Sequence, residues 1–254
     1  KIGVIGGTGR MGRWLADFME TEGYSVLTSG LNSGWSAEEL AMRADVLVVS
    51  VPVSETAGVV EKVAPFLGEE SLIMDLASVK KRSMEAMMTH SRGEVLGLHP
   101  LFGPHEAVFE DLTLAVCPGR GEQGLNWITS LFSGRGLRII VLSPEEHDFI
   151  MGLVQGVNHF STLALSLCIL ESGIDIRGLE KSSTVTFQER LERIRRLLGQ
   201  PADLFQALLM ENPEAGRFIE HYRESVFRLS RLVEETDEEE FRRLFGSLRR
   251  FFLK

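Results

Sequence analysis

Apolar residues come in short, nearly unbroken runs through the first half of the chain and at helical spacing through the second half. Ile2-Gly3-Val4-Ile5, Tyr24 to Thr28, Val46 to Ser50, Ser71 to Asp75, Val95 to Leu98, Leu112 to Cys117 and Leu137 to Val141 carry few charges and little strict alternation. Runs of this kind predict strands buried on both faces of a mostly parallel sheet. Helical patterns separate them: Met11 to Thr21, a segment closed by Asp45, Glu55 to Phe66, Lys81 to Met88 and Glu122 to Phe132. The alternation specifies an α/β fold class, with a Rossmann-type, mostly parallel sheet domain over residues 1–143.

At Ser143-Pro144-Glu145-Glu146 the pattern changes. An N-cap serine, proline at the first helical position and glutamate at the third predict a helix start. Beyond it no strand signal remains. Helices are expected over about 145–172, 178–198, 201–211, 213–234 and 237–252, the last opened by Thr236-Asp237-Glu238-Glu239 as a second capping box. Residues 144–254 are therefore expected to form an all-helical domain. The long first helix is apolar on more than one side (Phe149, Ile150, Leu153, Val154, Val157, Phe160). Other helices should cover it, with the excess apolar area going to a second copy in a homodimer.

The first strand runs into Gly7-Thr8-Gly9-Arg10-Met11-Gly12, a G-x-G-x-x-G motif in the strand-to-helix setting that dinucleotide binding requires. Gly7 is expected to make the tight turn, Gly9 to let the pyrophosphate approach the backbone, and Gly12 to let helix and sheet pack closely. Free N–H groups at the helix N-terminus, from Arg10 and Met11 onward, would hold the phosphates. The acid that commonly holds the ribose hydroxyls about twenty residues later is absent: no Asp or Glu lies between Glu22 and Glu38. The hydroxyls of Thr28 and Ser29, with Arg10, suit a 2′-phosphate, so NADP stands beside NAD. Ser50, Val51 and Pro52 end the third strand at the ligand-binding edge and are expected to border the dinucleotide.

The net charge of −9 leaves no basic face for nucleic acid. The densest basic run, Arg190 to Arg196, is interrupted by Leu191, Glu192 and Ile194 and reads as a solvated helix face or a site for an anionic ligand. Cys117 and Cys168 lie in apolar stretches and are expected to be core thiols. No run of 18 uncharged apolar residues marks a membrane span, and no His, Asp or Glu spacing marks a metal site. A cytoplasmic protein is expected.

The candidate chemistry gathers at His99, which closes an apolar strand at the crevice edge and could exchange a proton with a substrate hydroxyl near neutral pH. Ser78 could orient it or touch the nicotinamide. Lys80 could hold a carboxylate or phosphate. His105 and Glu106 sit past a Gly-Pro turn and would line the entrance. His147 starts the domain-linking helix beside Asp148, and His159 follows about 18 Å along the same helix, as a core residue or a group carried to the crevice.

Val48-Val49-Ser50-Val51-Pro52, Asp75-Leu76-Ala77-Ser78-Val79-Lys80, Leu96-Gly97-Leu98-His99-Pro100-Leu101-Phe102-Gly103-Pro104 and Glu146-His147-Asp148 occur here in that order. With them the chain resembles the prephenate dehydrogenase family of tyrosine biosynthesis, particularly the branch often fused to chorismate mutase. The resemblance covers nearly the whole chain. It implies oxidative decarboxylation of prephenate to 4-hydroxyphenylpyruvate and CO2, and it favours NAD over NADP. It implies further that His99 takes the ring-hydroxyl proton, that Ser78 assists His99 and touches the cofactor, that His147 and His159 lie in or near the substrate pocket, and that the helical domain makes a homodimer. One departure stands out. The family's carboxylate-clasping arginine follows a Ser-Ser segment, where this chain has Phe187 or Gln188, with Arg190 nearby as a substitute. The departure leaves arogenate open as substrate. A non-catalytic NAD(P)-binding regulator is the reading from another class.

Overall fold

The computed structural model describes residues 1–30, 34–104 and 109–253. Seven strands, β1 Ile2–Ile5, β2 Val26–Ser29, β3 Val46–Val49, β4 Leu72–Asp75, β5 Glu94–Pro100, β6 Thr113–Arg120 and β7 Arg138–Val141, form one sheet in the order β2-β1-β3-β4-β5-β6-β7. Every neighbouring pair is parallel except β5 and β6. The unbroken apolar runs have a direct cause, because helices cover both faces. On one side α1 (Arg10–Thr21) and α5 (Gln123–Ser133) bury Leu15, Phe18 and Phe132 against Val48, Met74 and Leu96. On the other, α2 (Ala37–Ala41), α3 (Val53–Val63) and α4 (Lys81–His90) bury Leu40, Val60 and Met84 against Leu47, Ile73 and Cys117.

The sheet ends at Val141 and α6 (Pro144–Met151) begins as anticipated: Ser143 accepts from the Glu146 amide, and Glu146 returns the bond to Ser143 N–H. The helix then widens into a π-helical turn over Gly152–Val157 before continuing as α7 (Asn158–Glu171). A side chain at either glycine of this turn would strike helix α11 (Pro213–Glu234): a Cβ at Gly152 falls 2.9 Å from Glu214, and one at Gly156 falls 2.9 Å from Ala215. Helices α8 (Ile176–Lys181), α9 (Val185–Leu198), α10 (Ala202–Met210) and α12 (Glu238–Phe252) complete the second domain.

Four expectations need correction. The helix predicted over 178–198 is two, because Thr184 accepts from the Phe187 amide and starts a new one. The last helix is capped by Asp237, which accepts from the Glu240 amide, while Thr236 turns with φ +54°. Cys168 is exposed on α7. The helix from Pro144 to Glu171 is only 6% buried in its most apolar window and, with a mean hydropathy of 1.4, is long and apolar enough by composition to cross a bilayer. Its first turns nonetheless pack inward, with His147, Asp148 and Met151 buried.

Candidate active site

The carboxyl ends of β1, β3, β4 and β5 share one edge of the sheet, and the sequence places its chemistry there. His99 is the penultimate residue of β5, held in register opposite Ala115 of β6 and only 3% exposed. The capping box that sets the phase of α6 points His147 and Asp148 at this edge. His147 Nε2 lies 2.8 Å from His99 Nδ1, and its Nδ1 lies 2.8 Å from Asp148 Oδ1. On the far side of His99, Nε2 meets the Gln155 amide nitrogen at 3.3 Å, from the π-helical turn. Among the described residues Gln155 Oε1 is buried and without a hydrogen-bond partner.

Asp148 has a second task. Helix α4 begins at Lys80 without a side-chain cap of its own. Asp148 supplies one from across the domain boundary: Oδ1 accepts from Lys80 N–H at 2.7 Å and Oδ2 from Lys81 N–H at 2.9 Å. The positive end of the helix favours the carboxylate there. Asn212, also buried, donates to the Asp148 carbonyl at 2.9 Å. Burial above all holds the His99 imidazole well below its ordinary pKa, so it is neutral near pH 7.

Several expectations change at this edge. Lys80 is fully buried: Nζ binds Asp75 Oδ1 at 2.6 Å and the Leu98 carbonyl at 2.8 Å. It fastens the end of β4 to β5 and has no access to a substrate carboxylate or phosphate. Ser78 is half-buried, and among the described residues the His99 ring pairs with His147 and Gln155, not with Ser78. His147 is fully buried and lies directly behind His99, next to the crevice edge rather than open to it. His159 sets its ring edge-on to Phe205 of α10, centroids 5.2 Å apart, and burial lowers its pKa. Arg190 is exposed on α9 and lines a cavity of about 830 Å³ with Arg193, Tyr222 and Arg223, whose lining does not include His99 or His147. His105 and Glu106 lie outside the described residues.

The glycine loop is built somewhat differently from its expected form. The positive-φ turn belongs to Gly6 (φ +81°), not Gly7, and a Cβ there would lie 2.1 Å from the Ser50 carbonyl oxygen. Gly7 packs on Thr28, and Gly12 packs on the Gly6 backbone. Gly9, the N-cap of α1, has open space outside it except for the Gly6 carbonyl at 3.1 Å, and no side chain caps the helix. The first amides of α1, from Arg10, Met11 and Gly12, therefore face a gap that no residue of the loop fills. Thr8, Gly9 and Arg10 border an open cavity of about 820 Å³ along α1. Ser29 is not available to a 2′-phosphate: it is buried and its hydroxyl donates to the Trp35 carbonyl at 2.9 Å. Ser50 and Val51 are half-buried and Pro52 exposed at the same edge.

Asp148, Gln155, Asp75 and Asn212 were not among the site residues read from the sequence. Gln155 left the clearest trace, as a lone polar residue inside an apolar helical run.

Comparison with known proteins bears on this geometry. The family described as prephenate dehydrogenase, nucleotide-binding domain, matches residues 25–141, and prephenate dehydrogenase, dimerization domain, matches residues 143–247. A T-protein from Haemophilus influenzae is 31% identical over 99% of this chain and 67% of its own length. A probable arogenate/prephenate dehydrogenase from Methanocaldococcus jannaschii is 28% identical over 99% of this chain and 60% of its own. The chain thus spans about two thirds of the length of these relatives. Prephenate dehydrogenase from Aquifex aeolicus, solved with hydroxyphenyl propionate and NAD+, has the same fold at a TM-score of 0.79 and 19% identity, covering 100% of this chain and 98% of that one.

Proposed function

Since the chain belongs to the prephenate dehydrogenase family, we propose that it oxidatively decarboxylates prephenate, with NAD as its cofactor and His99 as the base. The observation that carries this reading is a buried imidazole at the carboxyl edge of the sheet, three strands from a glycine loop that suits a diphosphate. At about 4.8 Å per strand, loop and imidazole stand roughly 14 Å apart across the sheet, a span that an extended dinucleotide can cover.

The residues present fit such a cofactor. A side chain at Gly9 would fill the space that the open N-terminus of α1 presents to an anion, and Gly12 lets that helix begin close to β1. Bound there, the nicotinamide supplies the acceptor for the hydride that leaves the hydroxyl-bearing ring carbon. His99 Nε2 takes the hydroxyl proton, and loss of the ring carboxylate as CO2 leaves its bonding pair to aromatise the ring. The chain need not supply a separate electron sink. The Gln155 amide lies 3.3 Å from the nitrogen that the substrate hydroxyl must reach, so substrate entry displaces it. The exposed apolar side chains of α7, including Leu167 and Leu170, fit a homodimer made through the matched dimerization domain.

Arogenate is the second reading, favoured by Phe187 or Gln188 at the place of the family's arginine, because neither can make an arginine's bidentate clasp on a carboxylate. The test is the rise of reduced-nicotinamide absorbance in four reactions that pair prephenate or arogenate with NAD or NADP. Turnover fastest with prephenate and NAD supports the proposal. Turnover of neither acid with either cofactor overturns it and leaves the non-catalytic regulator.

Gly9→Val tests the loop separately. In the fold a Cβ at Gly9 meets only the Gly6 carbonyl oxygen, at 3.1 Å, so the protein should still fold, with a modestly lowered thermal midpoint, whereas a bound diphosphate leaves the side chain no space. The dissociation constant for the dinucleotide should rise at least about tenfold, or 1.4 kcal/mol, in a fluorescence titration. An unchanged constant would place the diphosphate elsewhere.

A further inference from the structure

We infer that Asp148 and His147 are positioning residues that fix His99 in one tautomer, with the proton on Nδ1 and Nε2 bare toward the crevice. The inference rests on the reading of His99 as base and deepens it. It follows from counting donors along a single line of contacts.

An ionised carboxylate offers only acceptors. Asp148 already receives N–H bonds from Lys80 and Lys81, and its third contact is His147 Nδ1 at 2.8 Å. That nitrogen must carry a proton, since a bare one would set a lone pair against a carboxylate oxygen. A neutral His147 then has a bare Nε2, which can only accept. Its partner at 2.8 Å, His99 Nδ1, must donate. A neutral His99 with its proton on Nδ1 is bare at Nε2, the nitrogen against which the Gln155 amide group lies at 3.3 Å. An amide N–H directed there completes the sequence, and every contact from the start of α4 to Gln155 pairs a donor with an acceptor.

The surrounding charges agree. Lys80 pairs with Asp75, and the amides at the start of α4 face Asp148, so both carboxylates have partners before either ring carries an extra proton. Burial pushes the Cys117 thiol up to about 12 and leaves it neutral on the adjoining strand. When His99 takes a substrate proton it becomes an imidazolium whose Nδ1–H still donates to His147. The Asp148 charge lies one ring away to stabilise it, and no other proton has to move.

The test reads the tautomer directly. The full chain, bound to NAD and labelled with 15N-histidine, is measured at pH 7.5 by proton–nitrogen correlation through the ring couplings, with His99 assigned by the loss of its signals in His99→Asn. The expected spectrum shows His99 protonated at Nδ1 and bare at Nε2, and His147 likewise. A wild-type spectrum with the His99 proton on Nε2, the Gln155 carbonyl turned to accept it and His147 doubly protonated overturns the inference, whatever happens to any variant.

Asp148→Asn supplies the second arm. With an amide in place of the carboxylate, the His99 signals should lose their fixed donor and acceptor pattern. The kcat should fall about 10²–10⁴-fold, the range for a misdirected general base, with KM and NAD affinity within about threefold. A merely structural role would move neither the tautomer nor the split between kcat and KM, so retention of both in Asp148→Asn also overturns the inference. Because the spectrum needs no substrate, absence of turnover with prephenate and arogenate would sink the proposed function while leaving the tautomer result to stand or fall by itself.

Discussion

His99→Asn is expected to lower kcat by about 10²–10⁴-fold, the usual contribution of a positioned general base, while leaving dinucleotide affinity unchanged. Asparagine is the informative replacement. It is neutral, and its amide can still donate to His147 Nε2, so the buried partner is not abandoned without a hydrogen bond. What it cannot do is accept a proton. The direction of the His99 shift gives a second test in the wild-type enzyme. Burial above all depresses the pKa well below the ordinary histidine value of 6.5. The base is charged, and activity lost, only as pH falls through that lowered value. A plot of log kcat/KM should therefore stay level down through pH 6.5 and drop at more acid pH. The groups that face the ring are His147 Nε2 at 2.8 Å and the Gln155 amide at 3.3 Å, with Asp148 behind His147. Turnover by His99→Asn within threefold of wild type, or an acid limb at or above pH 6.5, would remove His99 as the base.

The legible part of this molecule follows from burial. A strand covered on both faces must be apolar throughout, so β1, β3 and β4 announce themselves in short runs, and the start of α6 is written in four local residues. His99 was legible for a related reason, as a polar residue where an apolar strand meets the ligand edge. Of the groups that define its chemistry, His147 was legible too, but Asp148 and Gln155 were not. Asp148 caps α4 from 68 residues away, and no local pattern records a cap supplied by another domain. Gln155 reaches His99 on a π-helical turn, which shifts the helical phase by a residue and defeats extrapolation from His147 at ordinary spacing. The glycine motif was recognisable, but its positive-φ turn fell one residue early because the Ser50 carbonyl crowds Gly6. Ser29 and Lys80 misled in the same way. Both side chains belong to types usually found at the surface, and both are used to tie backbone together inside.

Lys80→Met should cost about 3–5 kcal/mol of stability, the range for removing one partner of a buried ion pair. Asp75 and Lys80 are each 0% exposed, and no water can take over from the lost ammonium without opening the sheet edge. The substitution leaves the Asp75 carboxylate with the Ala77 amide at 3.2 Å and strips the Leu98 carbonyl of its side-chain donor. Methionine fills much of the same space, so a cavity adds little, and the penalty measures the stranded charge. The paired variant Asp75→Leu with Lys80→Met separates the two contributions: with both charges gone, most of the loss should return, since apolar replacements of buried pairs are often neutral or stabilising. Urea unfolding of the three proteins reads this directly. A single-variant loss below about 1 kcal/mol, the range of a solvated ion pair, would contradict the burial of the pair. The same variants bear on catalysis, because Lys80 also presents its backbone N–H to Asp148. The single variant should disturb turnover through the Asp148–His147–His99 line, whereas the paired variant, with the end of β4 repacked, should recover stability further than it recovers kcat.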